Sequence, residues 1–227
     1  MARFNRTEVA LKMKETGIVP VFYHPDPEIT FQVIKACYDG GIRLFEFTNR
    51  GDFAHKVFEE VNTRVVKEIP EMIMGAGSVM DEGTASIFMQ LGANFIVSPV
   101  LNEELARVCN RRKVLWSPGC GTASEISRAH ELGAEIVKIF PAPAVGGINF
   151  IKAVRGPMPW TNIMPTGGVS PTEESLNEWF DAGVYCVGMG SQLISKDIID
   201  NRDFKKLTKL SETAVQTVRQ IRKTKDS

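Results

Sequence analysis

The chain has 227 residues, is 43% hydrophobic, and carries 27 basic against 27 acidic side chains, enough for one sizeable core with no net charge. That balance excludes a general nucleic-acid or polyanion binder, which would show a basic surplus, but leaves room for a local anion site. No stretch approaches the roughly 18 apolar residues of a membrane span, and Met1-Ala-Arg-Phe-Asn-Arg6 has no apolar signal core, so a cytoplasmic protein without a membrane partner is expected.

The elements follow in chain order. A helix at about 7–15 precedes a first strand, Gly17-Ile-Val-Pro-Val-Phe22. After the Pro-Asp-Pro turn, Glu28 to Asp39 places apolar residues at Ile29, Val33, Ala36 and Cys37, the spacing of a half-buried helix. The second strand lies in Gly40-Gly-Ile-Arg-Leu-Phe-Glu-Phe47, the third in Met72-Ile-Met-Gly-Ala76, and the fourth in Gly92-Ala-Asn-Phe-Ile-Val-Ser98. The fifth lies in Val114-Leu-Trp-Ser117, the sixth in Gly133-Ala-Glu-Ile-Val-Lys-Ile-Phe140, the seventh in Asn162-Ile-Met-Pro-Thr166 and the eighth in Gly183-Val-Tyr-Cys-Val-Gly188. Helices fill the gaps over 53–67, 82–91, 103–112, 124–132 and 173–182. Asp81, Asn102, Thr122 and Thr172 stand where N-caps belong, and the glycines before the strands suit left-handed C-caps. A long amphipathic helix over 204–222 closes the chain, and 223–227 reads as a frayed tail.

Strict strand–helix alternation implies a parallel sheet. Eight units in one domain spanning 1–227 point to a closed α/β fold, the (β/α)8 TIM barrel, with an extra N-terminal helix. A doubly wound open sheet is the competing architecture, but no GxGxxG opens the first helix.

In such a barrel the chemistry sits at the C-terminal ends of the strands. Strand alternation turns Ile136, Lys138 and Phe140 one way and Val137 and Ile139 the other. An amine carried into a poorly solvated interior favours its neutral form, and a neutral amine attacks carbonyl carbon. The bland alternative is a lysine that snorkels to water. On the second strand Phe45 and Phe47 suit the helix-covered face, leaving Leu44, Glu46 and Thr48 toward the axis. An inward carboxylate and an inward amine at similar depth supply a proton shuttle and a nucleophile, or else a structural ion pair. Glycine-rich stretches follow at Gly75-Ala-Gly-Ser78, Pro118-Gly-Cys-Gly-Thr122, Thr166-Gly-Gly168 and Gly188-Met-Gly-Ser191, each expected as a loop after its strand. The last two fall after strands seven and eight, where barrels bind phosphate.

Taken together, Glu46 to Arg50 (EFTNR), Gly75 to Ser78, Pro118-Gly119, Lys138-Ile-Phe-Pro-Ala142 and Pro165-Thr-Gly-Gly-Val169 resemble the 2-keto-3-deoxy-6-phosphogluconate (KDPG) and 4-hydroxy-2-oxoglutarate (KHG) aldolases. The resemblance implies a class I carbon–carbon lyase in which Lys138 forms a Schiff base and Glu46 is the general acid/base. It further implies Arg50 and Ser78 at the substrate carboxylate, Phe140 beside the imine, and Thr166 near the substrate hydroxyls. Pro99 and Gly119 join the substrate contacts, with Gly167, Gly168, Gly190 and Ser191 at the phosphate. A homotrimer and a small phosphorylated 2-keto acid as partner are implied too. The four cysteines form no CxxC pair and the three histidines show no metal-ligand spacing, so no metal or other cofactor is expected. The spaced glycines of Gly188-Met-Gly190 are similar to those of the phosphogalactonate aldolases, which keeps that substrate open. A phosphosugar isomerase or epimerase, or a barrel that only binds a phosphosugar, are the rivals from other classes.

Overall fold

The computed structural model describes residues 2–226 and is an all-parallel closed barrel. The strands are β1 (Ile18–Phe22), β2 (Leu44–Thr48), β3 (Ile73–Gly77), β4 (Phe95–Val97), β5 (Leu115–Ser117), β6 (Gly119–Cys120), β7 (Val137–Ile139), β8 (Ile163–Pro165) and β9 (Val187–Met189). β5 and β6 are two halves of one barrel strand. Pro118 has no N–H and interrupts the ladder between them, while its carbonyl accepts from Lys138 N at 2.8 Å. The sheets run β5-β4-β3-β2-β1-β9 and β6-β7-β8. The ring closes through the Thr166–Gly188 bridge and the bond from Tyr185 N to Ile163 O at 2.8 Å. The open doubly wound sheet is thereby excluded.

Helices α1 (Arg6–Thr16), α2 (Pro27–Asp39), α3 (Ala54–Glu68), α4 (Glu82–Gln90), α5 (Glu103–Arg112), α6 (Ala123–Glu131), α7 (Gly147–Arg155), α8 (Glu173–Asp181), α9 (Lys196–Asp200) and α10 (Phe204–Asp226) surround it. Asp81, Asn102, Thr122 and Thr172 each accept a backbone N–H at a helix start. Gly41, Gly92, Gly133 and Gly183 all have positive φ, between 84° and 94°, where glycine alone carries no steric cost. The stretch read as a tail at 223–227 lies within α10 up to Asp226. Its helical pattern continues through Asp226, since Lys223-Thr-Lys contains no helix breaker, and Ser227 lies outside the described residues. Two helices, α7 and α9, had no counterpart in the sequence reading.

Two cores divide the apolar residues by strand face. Phe45, Phe47, Val137 and Ile139 pack outward under the helices. Val19, Leu44, Ile73, Phe95, Val97, Leu115, Ile136 and Met164 fill the barrel axis. Val9 and Met13 of α1 join this inner set, so the extra N-terminal helix plugs the barrel's N-terminal end. Its start is fixed by a reciprocal capping box between Asn5 and Glu8. Among the described residues no helix is long and apolar enough to cross a membrane.

Candidate active site

Glu46 and Thr48 follow Leu44 on the inward face of β2. Glu46 is fully buried, and its carboxylate lies directly over Gly77 of the neighbouring strand. A Cβ at position 77 would come within 1.9 Å of Glu46 Oε1. Gly75 likewise yields its space to the Phe95 ring, 2.3 Å from where its Cβ would be. Gly75 and Gly77 are therefore not a loop after the strand, as the sequence suggested, but inward positions within β3 kept empty for larger neighbours. Gly119 is similarly part of β6, and a Cβ there would meet Pro99 O at 2.1 Å. Ser78, just past β3, is partly buried in the left-handed region at φ 56°.

Lys138 projects inward from β7 with 5% of its surface exposed. Its Nζ lies 3.5 Å from Glu46 Oε1 and 5.0 Å from the centroid of the Phe140 ring. Phe140 joins Pro141 through a cis peptide bond. Neither oxygen of Glu46 accepts a hydrogen bond. A buried ion pair repays its desolvation only with close geometry and full hydrogen bonding. At 3.5 Å, with both carboxylate oxygens otherwise unserved, this pair does neither. Such a pair contributes little to stability. Among the described residues five further buried oxygens also lack a partner, of which Ser117 Oγ and Thr166 Oγ1 lie at or just past the ends of barrel strands and Asn62 Oδ1, Thr161 Oγ1 and Ser211 Oγ lie elsewhere.

Above the pair, the strand ends enclose a cavity of about 410 Å3. Arg50, Phe140, Thr166, Gly167, Gly168, Gly190 and Ser191 all line it, so four separate sequence stretches converge there. Gly167 and Gly168 hold φ values of 94° and 72° in succession, which turns the chain sharply at the mouth. Gly188 beneath them cannot carry a side chain, because Thr166 Oγ1 would stand 2.3 Å from its Cβ. Glu46 and Lys138 are not among the lining residues, but Thr48 and Phe140, each two residues further along the chain, are. Ser78, Pro99 and Gly119 are not part of it. Tyr23, Thr48 and Gln192 line the cavity without having been assigned a role. Strand alternation had turned Thr48 inward, but no local pattern marked Tyr23 or Gln192.

Burial pushes the thiols of Cys37, Cys109, Cys120 and Cys186 up to about 12, which makes them poor nucleophiles. The Gly121 N–H and then the Thr122 hydroxyl hold the Glu125 carboxyl below its usual range, pinning the loop after β6. Among the described residues no group of three or more His, Cys, Asp or Glu could hold a metal ion. A larger cavity, about 600 Å3, lies at the opposite end between α1 and the starts of β2 and β3. Four of its charges pair, Lys12 with Glu15 at 2.5 Å and Arg43 with Glu71 at 3.6 Å. Size alone would choose that cavity; the buried Glu46–Lys138 pair, with Thr48 and Phe140 two residues on in the lining, chooses the smaller one.

The family model described as KDPG and KHG aldolase matches residues 9–210. The KHG/KDPG aldolase of Escherichia coli (strain K12) is 32% identical over 200 residues, 88% of this chain and 91% of that protein. The 2-dehydro-3-deoxy-phosphogluconate aldolase of Pseudoalteromonas atlantica is 35% identical over 198 residues, 87% of this chain and 89% of that one. Among solved structures, the KDPG aldolase of Legionella pneumophila, with pyruvate captured as a covalent carbinolamine, superposes with a TM-score of 0.81 at 28% identity. That match covers 90% of this chain and 97% of that one.

Proposed function

The chain belongs to the KDPG and KHG aldolase family, and from that premise we propose that it is a class I aldolase cleaving KDPG to pyruvate and glyceraldehyde 3-phosphate. KHG, cleaved to pyruvate and glyoxylate, is its second substrate. The observation that carries the reading is the amine of Lys138, buried 3.5 Å from a carboxylate with no hydrogen bond of its own and 5.0 Å from the ring of Phe140, which lines the strand-end cavity. Covalent capture of pyruvate in the Legionella pneumophila relative supports it.

The chemistry follows from that pair. The Lys138 amine attacks the C2 carbonyl, and Glu46 shuttles the protons that take the carbinolamine to a protonated imine with loss of water. Glu46 then takes the proton of the C4 hydroxyl. The C3–C4 bond breaks, its electron pair passes into the imine, and the aldehyde leaves. The enamine left on Lys138 is protonated at C3, and water hydrolyses the imine to pyruvate and free amine. Every electron pair moves within substrate and lysine, so the scheme uses no metal or other cofactor.

Arg50 and Ser78 hold the carboxylate, the guanidinium through its paired donors. Pro99 and Gly119 shape the same end, and Phe140 shields the imine. Thr166 meets the substrate hydroxyls, while Gly167, Gly168, Gly190 and Ser191 receive the phosphate. The spacing of Gly188-Met-Gly190 favours a second reading, in which the C4 epimer, the phosphogalactonate, is the better substrate. The assembly is a homotrimer and the setting cytoplasmic. The test is release of pyruvate from KDPG, its C4 epimer and KHG, measured with and without EDTA. Turnover of at least one that chelation leaves unchanged is expected; turnover of none, or activity restored only by a divalent ion, would refute the proposal.

A further inference from the structure

Lys138 has different neighbours on its two flanks. On one side it is in register with Met164 of β8, and Thr166 follows two residues on. On the other its register partner is Gly119. That position cannot carry a side chain, because Pro99 O stands 2.1 Å from where its Cβ would be. The nearest inward side chain on this flank is therefore two residues back along the same barrel strand, at Ser117. The pairing of Val97 with Ser117, and the inward packing of Val97 and Leu115, place Ser117 on the axial face.

Ser117 is completely buried, and its Oγ has no hydrogen-bond partner. The inner cluster on the axis is apolar, and it includes Val97, the register partner of Ser117, and Leu115 two residues before it. A hydroxyl without a partner in such a place is destabilising, and an alanine would fill it with less penalty. Its place on the strand that pairs with Lys138, two residues before the register partner Gly119, gives it a use. Here Nζ leans toward Glu46. Once Glu46 turns to the substrate's C4 hydroxyl, the charged nitrogen loses that acceptor, and Thr166 on the opposite flank is engaged with the substrate.

Resting on the aldolase reading, we infer that Ser117 is a positioning residue whose hydroxyl accepts a hydrogen bond from the positively charged Lys138 nitrogen and holds the imine in line while Glu46 works at C4. The interaction exists only on the covalent intermediate, so its loss lowers kcat and leaves KM little changed.

The test compares full-length Ser117→Thr, Ser117→Val and Ser117→Ala with the wild type on KDPG, each also reduced with borohydride in the presence of pyruvate. Threonine and valine have the same shape, so their difference isolates the hydroxyl. The expected result is near wild-type turnover for Ser117→Thr and a fall in kcat of about tenfold or more for Ser117→Val, as for one hydrogen bond to a charged group. Ser117→Ala, which adds no bulk, should fall likewise. Equal kcat values for the threonine and valine variants, or an alanine variant within about twofold of wild type, overturn the inference. A pyruvyl adduct on wild-type Lys138 keeps the aldolase reading intact whatever Ser117 does; a wild type with no adduct brings down both.

Discussion

The two ends of this barrel are built on opposite principles. At the N-terminal end, α1 inserts Val9 and Met13 into the axis, its first turn is closed by a capping box, and charged side chains find partners. At the C-terminal end a buried carboxylate has no hydrogen bond, two buried hydroxyls have no partner, and two successive glycines take positive φ. The first arrangement holds the fold together. The second leaves groups unserved that a bound substrate can serve. Cavity size ranks the two ends the other way, so the better guide to chemistry is a buried carboxylate and amine held together without further partners.

Single substitutions can break this contrast. The largest effect is expected at Lys138. Lys138→Arg keeps the charge opposite Glu46 but removes the nucleophile, so pyruvate release should fall by on the order of 10³-fold or more while the circular dichroism spectrum is kept. Substantial turnover in the folded variant would remove the lysine from the chemistry.

Next comes the mouth of the cavity. Ser191 is exposed there and has no positive-φ constraint, whereas a side chain at Gly168 would stand 2.7 Å from Pro143 Cγ and strain the loop. Ser191→Asp places a negative charge against the phosphate. It should lower kcat/KM for KDPG by about a hundredfold, the scale of two hydrogen bonds to a charged group, and leave KHG nearly untouched. An equal loss on both substrates would mean the loop is only a turn.

The plug gives the converse outcome. Met13→Ala empties part of the axis and should cost about 2–5 kcal/mol of stability in chemical denaturation, with kcat within about twofold of wild type. A fall in kcat at unchanged stability would show that the two ends are coupled.

Much of this architecture was legible in the sequence because it rests on local rules. The period-2 alternation of Leu44 to Thr48 and Ile136 to Phe140 fixed which side chains face the axis, and the residues at 81, 102, 122 and 172 marked helix starts. Helix α7 was not legible. It opens on Gly146 and Gly147, both at positive φ and with no capping side chain, so nothing local announces a start. Helix α9 spans only Lys196 to Asp200, too short for a periodic signal. Gly75, Gly77 and Gly119 looked like loop glycines because the atoms that exclude a side chain there, on Phe95, Glu46 and Pro99, come from other strands and loops. Tyr23 and Gln192 enter the site through the path of the chain beyond the strand ends, which no neighbouring residues encode.

The most direct test of the central claim, that the Lys138 amine is the nucleophile, is borohydride reduction in the presence of pyruvate followed by peptide mass mapping. One pyruvyl group on the peptide containing Lys138, absent from Lys138→Arg, is the predicted result. An adduct on another lysine, or none at saturating pyruvate, would contradict it.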